Sequence, residues 1–383
     1  MKIYADNAAT TKLDIEAFEA MKPYMLECYA NASQPYSFSR KVKKALKDAR
    51  NTIAECINAE PEDIIFTSGG TESDNWAIKN FTVYGAERHI YTSAIEHHAV
   101  LNACKSYIPY SAVQIIPVDQ HGVATPDKLK DLLSKPEEHI AVHSCIERTL
   151  VSVMLANNEI GTIQPIKELA EIAHSHGALF HTDAVQAVGH IPVDVKELDV
   201  DMLSASAHKF NGPKGIGFLY CKNRNELHPL HNGGSQEFEL RAGTENIPAI
   251  VGMAVALKNN VSHLKENATH CSKLAEILIS RLKNSNIDFI LNGHEINRLP
   301  GNVNVSIKGK SGEAIMHLLD LKGIYVSTGS ACDSVNQQVS HVINAINVPS
   351  VYAEGTLRIS FSKDNTIDDA EMIASTLVKL VNK

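Results

Sequence analysis

Seven short apolar runs recur between residues 63 and 221, separated by stretches of helical periodicity, and this alternation limits the fold more than any other feature of the chain. The runs fall at 63–67, 88–92, 114–117, 150–155, 178–181, 200–204 and 217–220. Around them, 41–57 sets Val42, Ala45, Leu46, Ala49, Ile53 and Ile57 on one helical face, and 73–79 and 165–175 also read as helix. Strands and helices in this order build a mostly parallel sheet covered by helices on both faces. The expected class is therefore α/β with a mostly parallel seven-stranded sheet. The pattern changes after Gly243-Thr244-Glu245-Asn246, where a long helical region over 247–282 leads to candidate strands at 302–307, 324–327 and 356–361. A chain of 383 residues favours a second, smaller unit for this part.

Bulk properties exclude several classes. A net charge of −8 supplies no basic field, so nucleic acid is not expected as a partner. Seven cysteines without a C-x-x-C spacing argue against a disulfide scaffold and against a compact metal site. The start, MKIYADNAATT, is not a signal peptide, and no run of 18 apolar residues occurs, so neither secretion nor a membrane span is expected. A reducing cytoplasm is the expected location.

The polar residues that close these runs carry the chemistry. Asp183 ends one run and Ser206-Ala207-His208-Lys209 follows another, just before the glycine-rich Asn211-Gly212-Pro213-Lys214-Gly215-Ile216-Gly217. A lysine and a carboxylate at neighbouring strand ends are what a pyridoxal 5'-phosphate site needs. The lysine forms an imine, and the carboxylate keeps the pyridine nitrogen protonated. Ser68-Gly69-Gly70-Thr71-Glu72 opens a helix after a strand, so Gly70 allows close backbone approach and the Thr71 hydroxyl can hold phosphate. Ser206 and His208 can donate to the same phosphate, and Gln186 can reach the phenolic oxygen. An imidazole at His97 or His98 can stack on the ring, and an amide at Asn157 or Asn158 can position the ring hydroxyl or a substrate carboxylate. Neither pair is resolved by the residues themselves. Arg358 lies in an alternating strand and suits a carboxylate clamp. Cys332, crowded by small residues in Gly329-Ser330-Ala331-Cys332, fits a thiol that travels to a substrate.

Taken with Tyr4-Ala5-Asp6-Asn7-Ala8-Ala9-Thr10, Ala156-Asn157-Asn158-Glu159-Ile160-Gly161-Thr162, His181-Thr182-Asp183-Ala184-Val185-Gln186 and Arg241-Ala242-Gly243-Thr244-Glu245-Asn246, these motifs resemble the cysteine desulfurases of the NifS/IscS branch. That branch lies within the class V aminotransferases, which are fold-type I pyridoxal phosphate enzymes with an aspartate aminotransferase-like architecture. The resemblance covers nearly the whole chain. It implies a large cofactor-binding domain at 15–255, and a smaller α+β domain at 1–14 and 256–383 carrying the cysteine loop. It implies Lys209 as the imine-forming lysine, Cys332 as the persulfide carrier, Asp183 as the ring-nitrogen partner, His97 as the stacking residue and Gln186 as the phenolic-oxygen contact. Gly70, Thr71, Ser206 and His208 become the phosphate site, Asn158 the ring or substrate contact, and Arg358 the substrate-carboxylate clamp. Thr244 would reach the cofactor phosphate of a neighbouring subunit, which implies a homodimer. The implied reaction converts L-cysteine to L-alanine, with sulfur passing from Cys332 to an iron–sulfur cluster scaffold or a thiolation protein.

The chain departs from the family at 31–36, at 231–238 (where Phe238 stands at a common arginine position) and at 333–341, and only Ser362 to Lys383 follow Phe361. These differences leave the cofactor residues in place and point to a pathway-dedicated member. A selenocysteine lyase or a cysteine sulfinate desulfinase is the alternative on the same scaffold. An ordinary aminotransferase and a non-catalytic partner-binding scaffold stand behind it.

Overall fold

The computed structural model describes residues 2–81, 88–107, 113–134, 148–328 and 339–382. In chain order the strands are β1 (Ile3–Tyr4), β2 (Ile64–Thr67), β3 (Arg88–Ser93), β4 (Val113–Ile116), β5 (Arg148–Ser152), β6 (Leu179–Asp183), β7 (Met202–Ser206) and β8 (Gly217–Cys221). They are followed by β9 (Phe289–Leu291), β10 (Asn302–Ile307), β11 (Ile324–Tyr325) and β12 (Thr356–Ser360). Among the described residues the main sheet has seven strands in the order β2-β8-β7-β6-β5-β3-β4. β8 runs antiparallel to both of its neighbours, and every other pairing in the sheet is parallel.

Successive residues of these strands feed two different cores. Phe66, Val151, Leu203 and Phe218 pack on one face with the helices Arg40–Cys56, Ile166–Ser175 and Ile247–Ser262. Ile65, Leu150, Met202 and Leu219, each one residue away, pack on the other face with Gly70–Asn80 and His98–Tyr107. The period of two sends side chains to opposite faces, and helices on both sides keep water from the sheet. This is why the runs are apolar throughout: β2, β7 and β8 are buried at every position.

The second sheet, β12-β10-β9, is antiparallel and packs with Leu264–Lys283 and Ile367–Val381 around a core of its own. Ile3 and Ala5, from the start of the chain, belong to that core, and β1 pairs with β11. Thr366 and Asp369 form a reciprocal capping box at the start of the last helix. No described helix is long and apolar enough to cross a membrane.

Two expected elements differ in detail. The run 150–155 is a strand only to Ser152, although Val153 N and Leu155 N still bond to the His181 and Asp183 carbonyls, and the chain then turns at Asn157. The helical region 247–282 is two helices, parted at His263, whose backbone (φ −112°, ψ 19°) leaves helical geometry. The short strands Ile3–Tyr4 and Phe289–Leu291 carry too few residues to show a period.

Close backbone packing at the start of β8 yields a test. A Cβ on Gly217 would run into the Ala205 carbonyl oxygen and sit 2.7 Å from Gly69 Cα. Gly217→Ala should therefore cost roughly 1–3 kcal/mol of stability, measured as a lower urea midpoint, because both neighbours are backbone and cannot step aside.

Candidate active site

The C-terminal ends of β6 and β7 place the key residues side by side. Asp183 closes β6 opposite Ser204 of β7, and a single tight turn, Ala207–Lys209, follows β7. Lys209 Nζ donates to the carbonyls of Ala8 (2.7 Å) and Ala9 (2.8 Å), and Gln186 Nε2 donates to the same Ala8 oxygen at 2.9 Å. The lysine and the glutamine thus meet on the N-terminal segment, which passes the ends of these strands. His208 Nδ1 and Thr10 Oγ1 lie 3.1 Å apart, and Thr11 Oγ1 donates to the His208 carbonyl at 2.9 Å.

Asp183 is buried, and its Oδ1 accepts one bond, from Val185 N at 2.9 Å. Burial raises its pKa to about 6, against the lowering pull of that bond and of the Lys209 charge. Behind it Asp74, on the helix Gly70–Asn80, is fully buried and pushed well above the carboxylate range by burial and then by the charge of Asp183. His181 lies between Ser152 Oγ (2.9 Å) and Ser204 Oγ (3.0 Å), 3.8 Å from Asp74 Oδ1. Burial lowers its pKa to about 3, so the ring is neutral and supplies no counter-charge. Asp183 therefore presents a buried carboxylate suited to a cationic N–H, which the protonated pyridine nitrogen of pyridoxal phosphate would provide.

A cavity of about 320 Å³ opens beside these residues, lined among others by Ser68, Gly70, Thr71, Ser206, His208 and Lys214. Gly69 has φ +150° and lets the chain pass Ser206 Oγ, which would be 3.4 Å from a Cβ there. Hydroxyls, a helix N-terminus and an exposed lysine around one hollow suit a phosphate. Burial lowers the His208 pKa to about 4, helped by the charges of Lys209 and Lys214, so its ring is a neutral donor or acceptor. Lys214 and Thr10 were not singled out from sequence, although both sit inside quoted motifs. The donor set and the buried carboxylate fit the cofactor.

The two ambiguous pairs separate geometrically. His97 Nδ1 accepts from Ala99 N at 3.1 Å. Burial and then the Lys209 charge lower its pKa to about 4, so its neutral ring carries the proton on Nε2. His98 instead lies against His341, with ring centroids 4.8 Å apart. Asn157 is used up inside its turn, donating to Ile95 O and accepting from the amides of Glu159 and Ile160. Asn158 takes no part in those side-chain bonds and is half-buried. Arg358 meets Asn158, donating to its carbonyl at 3.2 Å, but it is not an isolated clamp: Asp6 Oδ1 accepts from its Nη2 at 2.7 Å. Its buried Nε has no hydrogen-bond partner among the described residues. Thr244 is exposed. Cys332 and the Gly329-Ser330-Ala331 before it lie outside the described residues.

One segment tied to β2, just before the cavity-lining turn, is strained. Glu237, Phe238 and Glu239 have φ of 45°, 62° and 66°, three successive left-handed residues with side chains. Each costs on the order of 1–2 kcal/mol relative to ordinary backbone.

The class-V aminotransferase family matches residues 3–373. A cysteine desulfurase IscS of Dictyoglomus turgidum is 45% identical over 386 residues, covering 100% of this chain and 95% of that protein. A cysteine desulfurase IscS of Methanosarcina thermophila is 44% identical over 385 residues, covering 100% and 92%. Among solved structures, a NifS-like protein superposes with a TM-score of 0.88 at 36% identity, with both chains covered in full. A structure described as SspA in complex with cysteine gives a TM-score of 0.78 at 33% identity, covering 94% of this chain and 99% of its own.

Glu96, which the motif reading passed over, offers a test of the electrostatics. It is fully buried, its Oε1 accepts from Ser93 Oγ and from Met154 N (2.8 Å), and its Oε2 has no hydrogen-bond partner among the described residues. Burial raises its pKa from 4.5 to about 8. A raised folded pKa contributes stability that is complete below 4.5 and lost as pH rises through 8. Glu96→Gln keeps both bonds at Oε1 and removes the titration. Its stability relative to the parent should rise between pH 5 and 9 by an amount on the order of a few kcal/mol, read from urea midpoints. Parallel pH profiles for the two proteins would contradict the assignment.

Proposed function

The chain belongs to the class-V aminotransferase family, among its cysteine desulfurases, and we propose that it releases the sulfur of L-cysteine as a persulfide on Cys332 and leaves L-alanine. The observation that supports this most directly is Asp183 and Lys209 at adjacent strand ends over a donor-lined cavity. When bound, pyridoxal 5'-phosphate would supply a carbonyl for imine formation and a ring that accepts electrons from the substrate. Thr71, Ser206, His208 and the Gly70 amide would hold its phosphate, Asp183 its ring nitrogen, and Gln186 and Asn158 its phenolic side.

The chain's own residues then divide the work. Lys209 Nζ is kept next to two carbonyls and can take and return the substrate Cα proton once it is no longer bonded to cofactor. His97, neutral with its proton on Nε2 and its Nδ1 committed to Ala99, acts as a donor beside it and stacks on the ring. Arg358 binds the substrate carboxylate, oriented from behind by Asp6 and the Asn158 carbonyl. Cys332, as thiolate, forms a bond to the substrate sulfur while the Cβ–S bond breaks. The carbon keeps that electron pair and takes a proton, which completes alanine. The persulfide then passes to a sulfur-acceptor protein, a cluster scaffold or a thiolation protein.

A homodimer completes the proposal. Thr244 is exposed and is not among the residues lining its own chain's cavity, so it suits the phosphate of a neighbour's cofactor. Phe18, Met25, Leu26, Tyr29, Tyr36 and Phe38 are all exposed on this single chain, an apolar area that a second copy would cover. Residues 15–255 would carry the cofactor and 1–14 with 256–383 the cysteine loop, in a cytoplasmic enzyme.

Incubation with L-cysteine, with alanine and Cys332 persulfide read in one sample by mass spectrometry, tests the reading. Lys209→Ala should lower alanine release by roughly 10³-fold or more. Cys332→Ala should abolish persulfide and stop L-cysteine turnover. Undiminished alanine from Cys332→Ala would move the protein to the selenocysteine lyases or cysteine sulfinate desulfinases.

A further inference from the structure

The strained turn at 237–239 has a specific fastening. Glu237 is buried and takes a fork from Arg50, with Nη2 to Oε1 at 2.6 Å and Nη1 to Oε2 at 2.9 Å. Its Oε2 also accepts from Phe66 N at 2.8 Å, and Arg50 reaches on to the Ile64 carbonyl. Glu237 is thereby fixed to β2, directly before the phosphate turn at residues 67–71. Four residues after Glu237, Arg241 grips the other side. Its Nε and Nη2 reach the Glu72 carboxylate at 2.9 and 3.2 Å, and Glu72 Oε2 accepts from Ser68 N at 2.8 Å. The segment is closed on itself by Gly243 N, which donates to Gln236 Oε1 at 3.2 Å, and is tied to the stretch before it by Ala242 N, which donates to His231 O. Phe238 lies beneath the guanidiniums of Arg50 (5.0 Å) and Arg224 (3.8 Å).

We infer that Glu237 is a positioning residue for the cofactor phosphate: with Arg50 it holds segment 236–245 in a left-handed turn that braces both ends of the Ser68–Thr71 turn. The inference rests on the pyridoxal phosphate reading above and adds a residue that never touches the cofactor. Three side-chain-bearing residues would leave left-handed backbone if nothing held them. At the left-handed residues themselves the fixed point is a buried, bidentate ion pair with a third bond to sheet backbone. Releasing it frees the turn to relax, which withdraws Arg241 from Glu72 and so loosens Ser68 N and the start of the phosphate-holding helix. The same relaxation moves Thr244, three residues further on.

The test compares two probes that differ only at the phosphate. Cofactor is stripped from the full-length protein, and pyridoxal phosphate or pyridoxal is added back, with dissociation constants read from the imine absorbance. Glu237→Gln should weaken pyridoxal phosphate roughly 10- to 100-fold, the fold-change of one lost charge-assisted bond. Pyridoxal binding should change less than about twofold on the same scale. Glu239→Gly in the Glu237→Gln background removes left-handed strain at an exposed position and should restore most of the phosphate-dependent affinity. If Glu237→Gln does not fold by circular dichroism, Arg50→Lys, which keeps the charge but loses the fork, should show the same selective loss at smaller size. Equal weakening of both probes, or unchanged pyridoxal phosphate binding, overturns the inference. Failure of the parent protein to bind pyridoxal phosphate would instead overturn the proposed function itself.

Discussion

A carboxylate buried without a full counter-charge governs the architecture of this site. Water hardly reaches Asp183, and taking an ionised carboxylate out of water costs several kcal/mol unless a partner compensates it (roughly the penalty seen for buried ions generally). The described residues supply one amide bond and the charge of Lys209, and the nearby histidine, neutral through burial, lies between two serines. A group arranged this way is stabilised by whatever brings a positive N–H to it. The sheet makes the arrangement durable, because Asp183 terminates a strand flanked by parallel neighbours and closed over by helices on both faces.

The N-terminal segment distributes that order to the rest of the site. Asp6 holds Arg358, Ala8 and Ala9 receive Lys209, Ala8 also receives Gln186, and Thr10 and Thr11 engage His208. Ile3 and Ala5, just before it, are fixed in the core around the second sheet. A short stretch of chain therefore links the core of the second sheet to the lysine, the arginine and the phosphate region. Its backbone carbonyls do much of this, which is why small residues suffice at positions 8 and 9.

What could be seen in the sequence follows from how local its cause is. The strands of the main sheet were visible because burial on both faces makes each one continuously apolar, and Asp183 and Lys209 were visible because polar residues stand out at the ends of such runs. His97 and His98 could not be told apart, since a one-residue choice depends on which ring nitrogen the next helix's amide captures. Asn157 and Asn158 were equally ambiguous until the turn showed which amide it consumes. Asp6 beside Arg358 was invisible for another reason: the two are brought together across more than three hundred residues. Glu96 and Asp74 were missed because a carboxylate amid apolar residues reads as a surface position unless its burial is known.

Glu96 and Glu237 show two solutions to the same problem, and their locations explain the choice. Glu237 is paired with Arg50 in a buried fork, and that pair pins a strained turn. Glu96 sits next to His97 and has no cationic partner among the described residues; burial instead keeps it protonated near neutrality. A fixed negative charge one residue from His97 would raise the pKa of that ring and draw a second proton onto it. A neutral acid leaves the imidazole uncharged, with its Nε2 proton available as the only one to give. Ion pairing serves where position must hold, and neutralisation serves where a neighbouring proton must remain transferable.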